Sequence, residues 1–279
     1  MSKECLSEGV RQRLHKVIVY IQDNLDGKLS LEKVSSIANL SPYHFHRQFK
    51  SYSGENLHDY IKRLRLERAA FMINHSDTPI TQMVYESGYE TPSAFSKAFK
   101  GRFGVTPRGF RGVSLYEEKD AVQCHLQPEI KEVAAQTLLF QHEIGPYEQA
   151  AEKAWQRLMM MAYTKGLIDE HSRAIGIAYD SPYITDENHF RYDACLALGE
   201  TDGKKIPNTQ VLPRGRYAMF RHQGAYHQMD DVYDFIYGCW LIQSGHVLRD
   251  QPSFCHYHQM NSKDVPEEEL VTDIYIPIE

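Results

Sequence analysis

Guanidinium, imidazole, ammonium and phenol groups crowd into the eleven residues Pro42 to Tyr52, PYHFHRQFKSY, and the layout recurs fifty residues later as Pro92 to Arg102, PSAFSKAFKGR. These groups can donate hydrogen bonds to base edges and phosphates. In each copy Pro comes first, two Phe stand four apart (Phe45 and Phe49, Phe95 and Phe99), and Gly54 or Gly104 follows. Spacing of four puts each Phe pair on one helical face and leaves His44, Arg47 and Lys50, or Ser93, Lys97 and Lys100, on the others. The Phe stripes are therefore read as core and the cations as outward-facing.

The elements around the two stretches must hold them in place. Val10 to Leu25 carries apolar residues at three-and-four spacing and ends at Asp26-Gly27, which predicts a first helix. Leu31 to Ala38, capped by Ser30, and Ile80 to Ser87, after the break Ser76-Asp77-Thr78-Pro79, predict a supporting helix ahead of each basic one. Tight turns, Asn39-Leu40-Ser41 and Gly88-Tyr89-Glu90-Thr91, join each pair. Helix, turn, helix with outward cations is the layout of a helix-turn-helix reader, here present twice. Between the two, Asn56 to Asn74 lacks Gly and Pro and predicts a continuous rod of about 30 Å at roughly 1.5 Å per residue. A rod of that length can set two readers into successive major grooves, about 34 Å apart.

The 279 residues carry a formal charge of -6, which hides an asymmetry. Residues 1–112 hold 17 Lys and Arg against 11 Asp and Glu, whereas the remainder holds 14 against 26. A cationic half followed by an anionic half implies a polyanion partner for the first only. Cys5, Cys124, Cys195, Cys239 and Cys255 are odd in number and form no CxxC pair, which argues against a zinc module and for a reducing compartment. There is no run of about eighteen apolar residues and no apolar core near Met1, so neither a membrane partner nor secretion is expected, and the cytoplasm is the expected location.

Leu29 to Arg111 resembles the DNA-binding domain of the AraC/XylS family, most sharply in Gly88 to Lys100 (GYETPSAFSKAFK) and Phe103-Gly104-Val105-Thr106-Pro107. The resemblance implies an all-α double helix-turn-helix (homeodomain-like) domain over residues 1–112. Its family pattern implies that Tyr43, His46 and Arg47 face base edges, with Arg47 able to take a guanine bidentately, and that Ser93, Ser96 and Lys97 hold the matching positions in the second reader. His44, Lys50 and Lys100, on the flanks, would meet phosphate.

After a linker at 113–127, residues 128–279 read as an α+β domain built from two strand-helix-strand-strand units with a period near eighty. Val133 to Ile144 with Gly145-Pro146-Tyr147 matches Arg216 to Gln223 with Gly224-Ala225-Tyr226, and the following helices carry Trp155 and Trp240. Tyr192-Asp193 recurs as Thr272-Asp273 before an alternating strand. This half resembles the GyrI-like small-molecule-binding domain, also found in Rob-type and BmrR-type regulators, on its GPY and GAY turns, Trp240-Leu241, Ser244-Gly245 and the closing DIYIPI. The resemblance implies a groove between the repeats with aromatic walls above an acidic residue, and Tyr147, Trp155, Tyr192, Tyr226, Trp240 and Phe254 are its candidate lining. Family members often carry Glu where this chain has Cys255, which weakens the implied preference for cations. Cys255, His256 and His258 invite a metal, but strand alternation separates the Cys from the two His and supplies no fourth ligand, so no metal or other cofactor is expected.

The multidomain reading is thus a sequence-specific DNA-binding transcriptional regulator, not an enzyme, whose C-terminal domain answers a small lipophilic effector. Two alternatives stay open: a GyrI-like hydrolase of electrophilic small molecules fused to a DNA-binding domain, and a C-terminal protein-interaction adaptor. The expected partners are double-stranded DNA, the effector and, as an activator would require, RNA polymerase. Two readers in one chain make monomeric binding the expectation.

Overall fold

Phe45, Phe49, Phe95 and Phe99 are fully buried, and the two helices that carry them are α3 (Pro42–Ser53) and α6 (Pro92–Phe103) of an all-helical N-terminal unit. The computed structural model describes residues 6–116, 126–198, 206, 208–260 and 264–279, so Cys5, Cys124 and most of the expected linker lie outside the described residues. The chain divides into two units, Met1–Val113 and Ser114–Glu279. In the first, α1 (Glu8–Gln22) and α2 (Leu31–Ile37) precede α3, and α4 (Leu57–His75), α5 (Ile80–Glu86) and α6 follow, closed by the short α7 (Pro107–Phe110). Helix α1 stops at Asp23, before the expected Leu25, although Leu25 is still buried. Both readers start alike: Ser41 Oγ accepts from the His44 amide and Thr91 Oγ1 from the Ala94 amide, with Pro at the first turn.

Helix α4, 19 residues and about 29 Å long, is the part both readers share. Arg63 on α4 donates to Glu55 Oε1, just past α3, at 2.6 and 2.8 Å, and to Glu67 Oε2 at 2.8 Å. Glu67 in turn accepts from Arg102 of α6. Arg63 and Glu67 are 4% and 5% exposed, so this chain of ion pairs crosses the interior from one reader to the other. Burial alone would lower the Arg63 pKa, but Glu67 and Glu55 more than offset it and the guanidinium is held charged above its ordinary value. A second arginine of the rod, Arg65, reaches Leu25 O at 2.7 Å and Gly27 O at 2.6 Å, and its guanidinium lies over Gly88. Gly88 has φ +68°, and any Cβ there would meet the guanidinium at 2.5 Å, so the α5–α6 turn needs glycine for conformation and for space.

The second unit holds an eight-stranded antiparallel sheet in the order β1-β6-β8-β7-β3-β4-β2-β5. Its strands are β1 (Glu129–Val133), β2 (Gln136–Ile144), β3 (Arg173–Ala178), β4 (Arg191–Ala197), β5 (Thr209–Leu212), β6 (Gly215–Gln223), β7 (Phe254–Tyr257) and β8 (Val271–Ile278). Helix α8 (Tyr147–Thr164) follows β2; after β6 come α9 (Met229–Phe235), a π-helical turn Ile236–Trp240 and α10 (Leu241–Ser244). The duplication is visible as β6-β8-β7 mirrored by β2-β4-β3, the two halves meeting where β7 pairs with β3. The expected first strand, Val133 to Ile144, starts later, as β2 at Gln136, and a separate strand, β1, ends at Val133 ahead of it. Each half's leading strand crosses to the other half, β1 onto β6 and β5 onto β2. From Val133 to Gln136 the chain spans at most about 11 Å, yet six strand spacings, roughly 29 Å in a flat sheet, separate β1 from β2. The sheet must therefore curl until its ends approach, and this buries Leu138, Phe140, Ile175, Tyr217 and Met219 on the face away from α8.

The ionic chain across α4 predicts that Glu67→Ala, which strips Arg63 and Arg102 of a buried carboxylate, costs about 3 kcal/mol in denaturant unfolding of the N-terminal unit; a loss under about 1 kcal/mol would make the chain peripheral. His75, tilted against the Phe71 ring at 4.3 Å, has its pKa lowered by burial to about 4, against a smaller upward pull from its bond to Phe71 O. The unfolded chain takes up that proton near its ordinary pKa of about 6.5 while the fold refuses it, so stability is full above that pH and falls as pH drops toward 4. His75→Gln should flatten that decline by on the order of 2 kcal/mol when unfolding is followed from pH 7.5 to 4.5.

Candidate nucleic-acid interface and ligand groove

On α3 the burial of Phe45, Phe49 and Tyr52 turns Tyr43, His44, His46, Arg47 and Lys50 outward, all of them exposed, Tyr43 by 67%. Tyr43, Arg47 and Lys50, at i, i+4 and i+7, form the ridge opposite the Phe stripe, with His46 and His44 to either side. Lys50 thus continues the line of Arg47 rather than standing on a flank. The Arg47 guanidinium lies 5.9 Å from the Tyr43 ring centroid, which holds its planar fork on the ridge. On α6 the same positions are Ser93, Lys97 and Lys100, all exposed; Ser96 is half-buried beside the Phe stripe, less available than its counterpart His46. Lys100 and Arg102 fall in the last turn, where cations suit the helix dipole, and Arg102 is committed to Glu67.

In the second unit, alternation along β7 sends Cys255 and Tyr257 to the α8 side and Phe254 and His256 to the other. On the α8 side the rings of both halves meet. Trp155 Nε1 donates to Tyr192 Oη at 3.0 Å, Tyr192 Oη lies 3.2 Å from Tyr257 Oη, and Tyr257 meets Trp155 and Tyr226 edge-on at 5.9 and 5.3 Å. Tyr147 stacks on Phe190 at 4.5 Å and meets Tyr192 edge-on. Of the six expected lining residues, Tyr147, Trp155, Tyr192 and Tyr226 gather here. Phe254 does not: it stacks on Tyr275 at 4.4 Å on the opposite face. Trp240 packs edge-on against Phe220 of β6 and beside His246, two strands from β7. Tyr147 and Tyr226 are 79 apart, so the repeat partner of Trp155 is Asp234, not Trp240.

Residues not singled out in the sequence extend this aromatic cluster. Tyr233 Oη lies 3.3 Å from Cys255 Sγ, Tyr237 stacks parallel to Tyr233 at 6.2 Å, and buried Asp234 accepts from Tyr183 Oη at 2.7 Å. Tyr116 packs beside Tyr183 and Tyr237. Tyr233 and Tyr237 at i and i+4 next to a buried Asp were a readable helical signal; Tyr183 and Tyr116, from irregular segments, were not. Burial is the main cause that raises the phenol pKa of Tyr192, Tyr233 and Tyr257 and lifts Tyr237 to about 12, so the lining is neutral. The Cys255 thiol is likewise pushed up, to about 11, burial outweighing hydrogen bonds from Tyr233 and Tyr257.

On the opposite face His256, His258 and Asp273 bring ligand atoms within 4.8 Å of one another, a carboxylate having joined the two His in place of Cys255. Asp273 is already gripped by Arg221 at 2.8 and 3.0 Å and by His258 at 2.8 Å. The other repeat has the same arrangement, Asp193 held by His142 at 2.5 Å and Tyr179 at 2.7 Å. His142 and Arg221, and Tyr179 and His258, are 79 apart. A carboxylate anchored by two donors is therefore a structural feature of the repeat, and the Arg221 guanidinium beside it opposes a divalent cation.

Residues 126–279 match the family described as GyrI-like small molecule binding domain, and residues 34–112 match a helix-turn-helix domain family. Multiple antibiotic resistance protein MarA of Escherichia coli (strain K12) is 32% identical over 38% of this chain and 83% of its own length. The probable transcriptional regulator YgiV of the same strain is 34% identical over 38% of this chain and 68% of its own. A transcriptional regulator from Chromobacterium violaceum, described as an AraC-type DNA-binding domain-containing protein, aligns structurally over 38% of this chain and 94% of its own, with 26% identity and a TM-score of 0.35. Among the described residues no helix is long and apolar enough to cross a membrane. The chain belongs to the GyrI-like family and joins that domain to an AraC-type helix-turn-helix unit, as a DNA-binding transcriptional regulator.

Proposed function

We propose that this regulator reads its DNA site with the ridges of α3 and α6 and answers a small lipophilic molecule held in the aromatic groove. The observation that carries the sensing half is the convergence of Trp155 and Tyr192 from one repeat with Tyr226, Tyr233 and Tyr257 from the other, beside the buried carboxylate of Asp234. Neutral aromatic walls attract apolar and cationic molecules, and a carboxylate favours the cation. Asp234 supplies on α9 the negative charge that residue 255 lacks.

In the DNA-binding half, Arg47 is the base reader, flanked by Tyr43 and His46, while His44, Lys50 and Lys100 take phosphate. Ser93, Ser96 and Lys97 offer shorter or less selective donors, so the second reader contributes register more than discrimination. Such a regulator works beside its DNA in the cytoplasm, signals through contact with RNA polymerase, and uses one chain per site. The hydrolase reading is disfavoured by Cys255, which stands where an activated group is needed but is held as a thiol by its surroundings. An adaptor role would leave the aromatic groove without an occupant.

Three measurements test this reading. Arg47→Ala should weaken binding to a DNA site selected from a random pool by about 1–3 kcal/mol and relax preference at one base, whereas equal loss on every sequence would make Arg47 a phosphate clamp. Thermal shift of the full chain against lipophilic cations and neutral analogues should give saturable stabilisation without product, reaching about 2.7 kcal/mol at a hundredfold excess over Kd; product formation would restore the hydrolase. Iodoacetamide should modify Cys255 at pH 8 about a hundredfold more slowly than an unperturbed thiol, as a pKa two units higher requires.

A further inference from the structure

Tyr116 stands three residues beyond Val113, where the N-terminal unit ends, and it is packed inside the C-terminal unit. Its ring meets Tyr183 edge-on at 5.1 Å and stacks on Tyr237 at 6.0 Å with an interplanar angle of 20°. Its hydroxyl is hydrogen-bonded to the side chain of Ser181, and Asp234 is close enough to act on it electrostatically. Ser114 Oγ donates to Tyr116 O at 3.0 Å and so holds the short turn that delivers the ring.

The helix on the other side is shaped to receive it. Gly238 lies in the π-helical turn Ile236–Trp240, and a Cβ built there would come within 2.7 Å of Tyr116 Cβ. A glycine mid-helix is unfavourable relative to alanine, and here its missing side chain is the space that Tyr116 fills. The stack continues from Tyr116 through Tyr237 and Tyr233 to Cys255, and from there to Tyr257 and Tyr192. Tyr116 therefore belongs to the same aromatic series, and among the described residues it is the ring supplied by the segment leading from the DNA-binding unit.

We propose that Tyr116 is a tethered occupant of an effector subsite formed by Tyr183, Tyr237, Ser181 and Asp234, and that an aromatic cation binds there by displacing it, which releases the hold on the segment leading to the readers. The proposal rests on the reading of the groove as a ligand site and adds the subsite, the ligand class and the route of the signal. The chemistry of the slot defines the class. One stacked ring, Tyr237, and one edge-on ring, Tyr183, suit a planar aromatic group, Ser181 pairs with a hydroxyl, and the Asp234 carboxylate favours a positive charge that tyrosine itself lacks. A tethered side chain competes at an effective concentration in about the millimolar range, so it masks a weak ligand and yields to a stronger one.

Tyramine, a phenol carrying an ammonium, is the probe, and p-cresol its neutral control. Calorimetry with the full-length protein should give tyramine affinity for Tyr116→Ala about tenfold above that of the wild type. Tyr116→Phe, which keeps the ring and loses the Ser181 bond, should fall between them. Asp234→Asn in the Tyr116→Ala background should abolish the preference for tyramine over p-cresol. In fluorescence polarisation with selected DNA, tyramine should shift wild-type affinity, and Tyr116→Ala should start at the shifted value and no longer respond. Equal tyramine affinity in wild type and Tyr116→Ala, or an unchanged DNA response in that variant, overturns the tethered-occupant proposal while leaving the groove as a ligand site. Absence of tyramine binding by every variant, when other lipophilic compounds stabilise the protein, overturns the assigned subsite alone. Absence of stabilisation by any compound overturns the groove reading and this proposal together. Near-UV circular dichroism of each variant should match the wild type away from the lost ring, and a collapsed spectrum would show Tyr116 to be a core residue of the fold.

Discussion

One buried relay of charge, from Glu55 through Arg63 and Glu67 to Arg102, gives the N-terminal unit its purpose-fitted geometry. Two short basic helices joined by a rod could point in many directions, because their apolar stripes specify only that each must face a core. Ion pairs inside a low-dielectric interior are directional, and leaving any one member unpaired is costly. The relay therefore adds little to net stability compared with apolar residues of the same volume, but it penalises every orientation of α3 and α6 except one. Arg65 works in the same sense, pinning the chain after α1 and the α5–α6 turn to the rod with main-chain carbonyls.

The C-terminal unit solves a different problem. Two similar halves must stay together without closing the space between their helices. Exchange of β1 and β5 makes each half depend on a strand from the other, and the two-residue connections force the sheet to curl and bury its far face. Joining occurs at the sheet, through β7 and β3, and the α8 side is left to aromatic side chains. Those rings satisfy their hydroxyls with one another, Trp155 to Tyr192 to Tyr257, so the groove is polar at its hydrogen bonds and apolar at its walls. The repeated anchored carboxylates, Asp193 and Asp273, belong to the other face and keep the two halves alike there.

Divergence between the halves falls where the groove needs it. The second helix contains a π-helical turn at Ile236–Trp240, its Trp240 packs on Phe220, and Asp234 stands at the position where the first half has Trp155. One wall is consequently aromatic and the other carries charge. Gly238, within the same turn, leaves the opening occupied by Tyr116.

Much of this was legible in residue order alone. Phe pairs four apart with cations between them, proline after a capping hydroxyl, and an uninterrupted rod are local patterns, and local patterns determine helices, their caps and their outward faces. The outward placement of Tyr43, Arg47, Lys97 and Lys100 followed for that reason, as did the matching places of Tyr147 and Tyr226 after their repeated turns. Phe254 and Trp240 pack elsewhere than expected because their environments depend on strands they do not belong to, Tyr275 of β8 for the one and Phe220 of β6 for the other. Strand exchange, the ionic relay and the docking of Tyr116 were out of reach for the same reason. Arg102 reaches Glu67 across 35 positions and Tyr116 reaches Tyr237 across 121, between segments whose sequences carry no mark of one another. Periodicity records which way a side chain points from its own element; only the packed structure decides what it meets.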